Sequence, residues 1–282
     1  MNDKYTAKRT FNNNIVFCID DENNRECILV GKGLGFAIKE GMNIKNVEMI
    51  EKVFYLVDTN NKDRFIELSK EVDNDIIAVT EEIIAMACKE LKKELDEKIH
   101  VTFLDHVAFA VERYQNGIDI RNPFLSEIRV LYKEEYTVAL KMLTIINQRL
   151  NIKLPEDEVG FISMHLHAAL NMTSVTKTTL DAEVMNKIVG CIEDGIGITI
   201  DKDSFDFIRL VTHIKFALDR IHRNISIENL LLDDIKRKFK ISYKVSKEIS
   251  QKIKNEFNIS LSEDEIGYLA IHIEKIRSSR QN

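Results

Sequence analysis

His106-Val-Ala-Phe109-Ala110-Val-Glu-Arg113 returns, 107 positions later, as His213-Ile-Lys-Phe216-Ala217-Leu-Asp-Arg220. At the same offset, residues 106–166 align with 213–273 without a gap, and 21 of the 61 positions are identical. Asn151-Ile152-Lys153-Leu154 answers to Asn258-Ile259-Ser260-Leu261, and Glu156-Asp157-Glu158-Val159-Gly160 to Glu263-Asp264-Glu265-Ile266-Gly267. His165 and His272 follow at matching places. Self-similarity at a fixed offset is the mark of a duplicated structural unit.

The surroundings of the repeat say what that unit is made of. Residues 59–282 hold only two prolines and six glycines, and their apolar residues recur every three or four positions, the period of helices with one buried face. The module is therefore expected to be a bundle of about five helices. The spacing places His165 on a helix starting near Pro155, and His272 on one opened by Ser262 with Glu265 completing a capping box. His106, after Asp105 and between Phe103 and Phe109, is expected near the start of another helix. All four histidines should lie at the margin of an apolar stripe. Asp58 to Lys62 and Met172 to Thr179 read as polar linkers.

Residues 1–58 are of another kind. Tyr5 to Phe11, Ile15 to Ile19, Cys27 to Val30 and Val53 to Val57 read as strands, with a turn at Asp20 to Asn24. Between the last two, Gly31-Lys32-Gly33-Leu34-Gly35-Phe36 sets a glycine at every second position. The expected fold is multidomain: a small all-β antiparallel domain over 1–58, then two all-α helical bundles over 66–171 and 173–282. Four short strands offer too little core to stand alone unless the domain dimerises.

Composition narrows the function. The 282 residues carry a net charge of −6, and residues 1–58 hold 8 Lys/Arg against 9 Asp/Glu. A protein that holds nucleic acid by bulk electrostatics is excluded; any such contact must be local and shape-selective. No stretch approaches the roughly 20 apolar residues of a membrane span, and the first residues do not read as a signal peptide. A cytoplasmic protein without membrane insertion is expected. Cys18 and Cys27 could face each other across a hairpin, whereas Cys88 and Cys191 stand alone. Free, buried thiols are the expected state, because neither an oxidising compartment nor a cluster of ligands is indicated.

Of seven histidines, four hold register: His106 and His165 are 59 positions apart, as are His213 and His272. His100, His167 and His222 have no counterpart. A lone histidine is usually a satisfied structural residue, and that reading stays open for the quartet. A metal site lacks ligands, and a hydrolase lacks a nucleophile elbow, a phosphate loop or an acidic dyad; no metal, cofactor or catalysis is expected. An imidazole is also a phosphoryl acceptor near neutral pH, and the phosphate adds up to two negative charges. The copies differ beside the first histidine, where Asp105 in one faces Thr212 in the other, and only the carboxylate can raise an imidazole's basicity.

Taken together, Lys8-Arg9, Asn12-Asn13-Asn14, Gly31 to Phe36, Ile50 to Phe54, Leu104-Asp105-His106 and Asp157 to Phe161 with His165 resemble the BglG/SacY-type transcriptional antiterminators of bacterial sugar-phosphotransferase operons. The likeness covers essentially the whole chain. It implies a dimeric RNA-binding sheet that stabilises a hairpin in a leader mRNA, and two regulatory modules phosphorylated on His106, His165, His213 and His272. It assigns RNA contact to Arg9, Asn12, Asn14, Gly31, Lys32, Gly33 and Phe36. Read without the family, Asn12 to Asn14 is a turn and Phe36 a core aromatic. The implied partners are the leader RNA, the phosphocarrier HPr, a sugar-specific enzyme II permease and a second copy of the chain. In this reading the permease inactivates through the first module and HPr acts on the second. Gly117 to Leu125 and His165-Leu166-His167 look most like the glucose-operon members. The alternative is a phosphorylation-controlled protein–protein adaptor that binds no RNA.

Overall fold

The computed structural model describes residues 4–44 and 47–279. Four strands, β1 (Tyr5–Thr10), β2 (Ile15–Asp20), β3 (Arg25–Val30) and β4 (Lys52–Tyr55), form one antiparallel sheet in chain order. Eleven helices follow among the described residues. They are α1 (Thr59–Glu71), α2 (Asn74–Leu91), α3 (Ile99–Gln115), α4 (Leu125–Leu131), α5 (Lys133–Leu150), α6 (Asp157–Leu170), α7 (Val175–Ile196), α8 (Phe205–His222), α9 (Leu232–Lys238), α10 (Lys240–Phe257) and α11 (Glu263–Ser279). The expected fold class, a small antiparallel sheet followed by helical modules, is what forms. No described helix is long and apolar enough to cross a membrane.

The chain makes two compact units. One runs to Pro123 and resumes over Glu134–Val175; the other takes Phe124–Lys133 and the chain from Thr176 on. In the first unit the hairpin register sets Cys18 opposite Cys27, both fully buried and both free thiols. Burial raises both thiols, Cys27 to about 12, so neither is a ready nucleophile. Asp20 closes the turn, accepting bonds from Glu22 N, Asn23 Nδ2 and the Tyr55 hydroxyl of β4.

β2 is buried along nearly its whole length, so both faces of the sheet are covered. One face packs Tyr5, Ala7, Val16, Cys18, Cys27 and Leu29 under Leu34 and Ile44. On the other, Phe17 lies 6.0 Å from Phe65 of α1, and Phe54 lies 4.6 Å from His100 of α3, ring centre to ring centre. Helices of its own unit thus cover this face of the sheet. His100, without a counterpart in the repeat, is bonded through Nδ1 to buried Glu81 at 2.7 Å.

The duplication is legible in the helices. α4 and α9, and α5 and α10, begin and end 107 positions apart. Asn151 and Asn258, which end α5 and α10, both take the left-handed conformation, which asparagine tolerates best after glycine. The buried Asn122 and Asn229 each donate a backbone N–H to an aspartate in the first turn of the last helix of their copy, Asp157 of α6 and Asp264 of α11. The segments expected as linkers are instead helix starts: the Asp58 side chain accepts from Asn61 N to cap α1, and α7 begins at Val175. Aspartate satisfies the free amides of a first turn, so a polar run at a boundary reads as a loop and folds as a cap.

Candidate functional site

α3 and α6 of the first unit bring His106 and His165 together, with ring centres 4.8 Å apart. The packing of Ile99, Val101, Phe103 and Leu104 carries α3 well ahead of His106. His106 thus lies mid-helix and not near the start, as its sequence neighbour Asp105 suggested. His165 is only 8% exposed, inside the apolar stripe and not at its margin, packed 5.5 Å from the Phe103 ring. Burial, and then the neighbouring His106, hold its pKa well below the ordinary 6.5. It is therefore a neutral ring at neutral pH, and its Nδ1 has no hydrogen-bond partner among the described residues.

The carboxylate that meets His106 is Glu158, whose Oε2 lies 2.9 Å from Nε2. Asp105 is exposed and does not fill the role the sequence reading gave it. Glu158 is 2% exposed and stands seven residues before His165, two helical turns away on the same face of α6. Both side chains therefore reach α3 together. The identity of Glu158 and Glu265, each seven residues before the second histidine of its copy, is the signal the sequence carries for this partner.

The second unit repeats the pair on α8 and α11. His213 and His272 have ring centres 4.7 Å apart, at an interplanar angle of 33° against 34° in the first unit. Tyr268 replaces Phe161 beside the first ring, at 5.9 Å. One partner has changed. Arg220 donates through Nε to Glu265 Oε1 at 2.7 Å, while His213 Nε2 lies 3.6 Å from Glu265 Oε2, beyond hydrogen-bond reach. Neither ring nitrogen of His213 has a hydrogen-bond partner among the described residues. Burial, then His272 and Arg220, push His213 down to about 4. His272 is lowered by burial and Arg209. In the first unit the matching Arg113 points elsewhere, donating to the Asp119 carbonyl and lying over the Phe109 ring. Among the described residues no three His, Cys, Asp or Glu gather in a way that could hold a metal.

The sheet carries the other candidate surface. Asn12 accepts from the backbone of Asn14 and Ile15, and Asn14 Oδ1 accepts from Gly33 N at 3.0 Å. The asparagine turn therefore holds the glycine loop in place. Gly31 lies so close to the Met49 carbonyl that a Cβ would come within 2.0 Å of it, and Gly33 has φ of +75°. Lys32 is exposed and Phe36 is 73% exposed; a core role for Phe36 is ruled out by its position. Arg9 is already engaged, donating to the Ser69 carbonyl and to Asn74 and lying over Phe11. Gly31→Ala should cost about 1–3 kcal/mol of stability, the usual size of an overpacking effect. A urea midpoint equal to the parent's would show that the loop yields freely.

Comparison with known proteins agrees in architecture. Residues 5–63 match the CAT RNA binding domain, and residues 81–169 and 186–276 each match the PRD domain. The transcription antiterminator LicT of Bacillus subtilis is 34% identical over 95% of this chain and 97% of its own length. The β-glucoside operon antiterminator of Dickeya chrysanthemi is 32% identical over 97% of each, and Protein GlcT of Staphylococcus aureus 31% over 96% of each. The crystal structure of GlcT CAT-PRDI superposes with a TM-score of 0.52 at 36% identity, covering 59% of this chain and 98% of that one.

Proposed function

The chain belongs to the family of transcriptional antiterminators that join a CAT RNA-binding domain to two PRD domains, and from that premise we propose that its paired histidines are phosphoryl acceptors that decide when it holds RNA. The protein is an RNA-binding regulator governed by the sugar phosphotransferase system and not an enzyme. The finer reading places the RNA-binding domain at 1–58, the first regulatory domain at 66–171 and the second at 173–282. Its target is an antiterminator hairpin in the leader mRNA of a sugar operon, glucose by its likeness to GlcT. It works in the cytoplasm, where that transcript is made.

One observation carries this reading. Two histidine pairs keep ring separations of 4.8 and 4.7 Å, although two thirds of the aligned positions around them have diverged. A phosphate on His106 would add up to two negative charges where α3 packs on α6, and in a homodimer with matching histidines near the two-fold axis those charges face their own copies. Like charges in a poorly solvated place cost several kcal/mol, enough to shift a helix–helix or subunit equilibrium. In this reading each module pairs with its own copy in a homodimer, and phosphate on the first loosens it. The sugar-specific enzyme II permease acts on His106 and His165, and HPr acts on His213 and His272.

RNA contact is assigned to Arg9, Asn12, Asn14, Gly31, Lys32, Gly33 and Phe36. Phe36 offers an exposed ring for an unpaired base, and the glycines let phosphate approach the backbone. Asn12 and Asn14 hold the loop through their side-chain oxygens, which leaves their amide nitrogens for base edges. Gel shifts of the full chain with a bulged RNA hairpin test this surface. Phe36→Ala and Asn14→Ala are expected to weaken binding by about 1–3 kcal/mol, roughly 5- to 150-fold. Parent-like affinity for both variants would put the RNA elsewhere on the sheet.

A further inference from the structure

The two histidine sites differ in who holds the glutamate, and that difference has a chemical consequence. In the first unit Glu158 Oε2 sits 2.9 Å from His106 Nε2. A buried carboxylate accepts and cannot donate, so it selects the tautomer with the proton on Nε2 and leaves the lone pair on Nδ1. In the second unit Glu265 is bound by Arg220, and His213 has no hydrogen bond at either nitrogen. Its ring lies 3.6 Å from Glu265 Oε2, too far for the hydrogen bond that would fix a tautomer, and that carboxylate already carries the Arg220 ion pair.

We propose that Glu158 is a positioning residue that makes Nδ1 of His106 the phosphoryl acceptor, and that Arg220, by holding Glu265, withholds the same help from His213. The proposal rests on the acceptor reading above and adds to it which atom reacts and why the two sites differ in readiness. The donor is an N-phosphorylated imidazole. Its N–P bond breaks as the bond from His106 Nδ1 to phosphorus forms, and the leaving ring keeps the electron pair. The proton on Nε2 of His106 does not move. The positive charge its ring gains is matched by the Glu158 carboxylate, so no further acid, base or metal is needed. At His213 the same charge would form beside a carboxylate already matched by Arg220. A glutamate supporting an imidazole from behind is the arrangement by which outer partners tune histidine ligands, where their loss changes affinity or activity by about 10- to 100-fold.

The test uses the full chain and potassium phosphoramidate, a small phosphoryl donor from which ammonia leaves, so that no docking partner enters the result. Long-range nitrogen-15 spectra of the unphosphorylated protein should show His106 with its proton on Nε2. After labelling, peptide mapping should find the phosphate of His106 on Nδ1. E158Q, which keeps shape and loses charge, should slow labelling of His106 about tenfold or more. R220M, which frees Glu265, should speed labelling of His213 by a similar factor and bring its proton to Nε2. Phosphate on Nε2 of His106, or label rates unchanged in both variants, would overturn this proposal while leaving histidine phosphorylation intact. Absence of label from all four histidines would overturn the acceptor reading itself, and this proposal with it.

Discussion

Alanine at His106 or at His165 gives read-through of the terminator in cells without the inducing sugar, whereas alanine at His213 or His272 lowers read-through or leaves it unchanged. The reason is the direction assigned to each input. If phosphate on the first pair switches the protein off, a ring that cannot take phosphate leaves it on. Coupling of this kind typically shifts an equilibrium by 1–3 kcal/mol, about 5- to 150-fold. Uninduced expression of a reporter behind the terminator should therefore rise roughly tenfold or more in the first pair. His106 is the cleaner position, being half-buried while His165 is buried and packed against Phe103. Constitutive read-through from the His213 or His272 variants, with His106 and His165 variants still inducible, would reverse the assignment.

The second large effect is on stability in acid. Burial holds His213 at about 4, against an ordinary 6.5. The unfolded chain takes up a proton below 6.5 that the folded unit refuses until about 4, so stability is full above 6.5 and is lost as pH falls through that window. At 1.36 kcal/mol per unit the loss is about 3 kcal/mol from His213 alone. His165 and His272 are lowered too, and they act with the same sign. Urea unfolding followed from pH 7 to pH 4 should show this slope, and His213→Gln should flatten part of it. A slope unchanged in His213→Gln would mean that the ring is solvated in the folded protein.

The fold was largely legible because the signals were local or repeated. A β-branched and aromatic run at Ile15 to Ile19, a turn cluster after it and the Cys18–Cys27 facing pair follow from period and turn chemistry alone. The 107-residue offset turned eleven helices into a problem solved once and applied twice. What misled was chemistry with two meanings at a boundary. Asp58 and the stretch from Met172 looked like linkers, since capping residues and loop residues are the same residues. Asp105 looked like both a helix start and the histidine's partner, because adjacency in sequence was the available measure of distance.

The site was legible in its histidines and hidden in what surrounds them. Nothing in the run around His106 announces a partner 52 positions away on α6. The pairing with Glu158 depends on the packing of α3 against α6, a property of the fold and not of either segment. The divergence between modules was visible at Asp105 and Thr212, yet the difference that reaches the ring lies at an arginine identical in both copies. Arg113 turns to the Asp119 carbonyl, and Arg220 turns to Glu265. One residue type takes two roles: Arg113 bonds a backbone carbonyl in the loop after α3, and Arg220 a carboxylate on α11. Sequence identity at a position fixes what a side chain can do, and its neighbours decide which of those things it does.

The most direct measurement is to map phosphate on the full chain after incubation with each donor in turn. The phosphorylated sugar permease domain should label His106 and His165, and phosphorylated HPr should label His213 and His272. Only the first labelling should release a bound RNA hairpin in the same reaction. Label appearing on other residues, or RNA held equally well after the first pair is phosphorylated, would contradict the account.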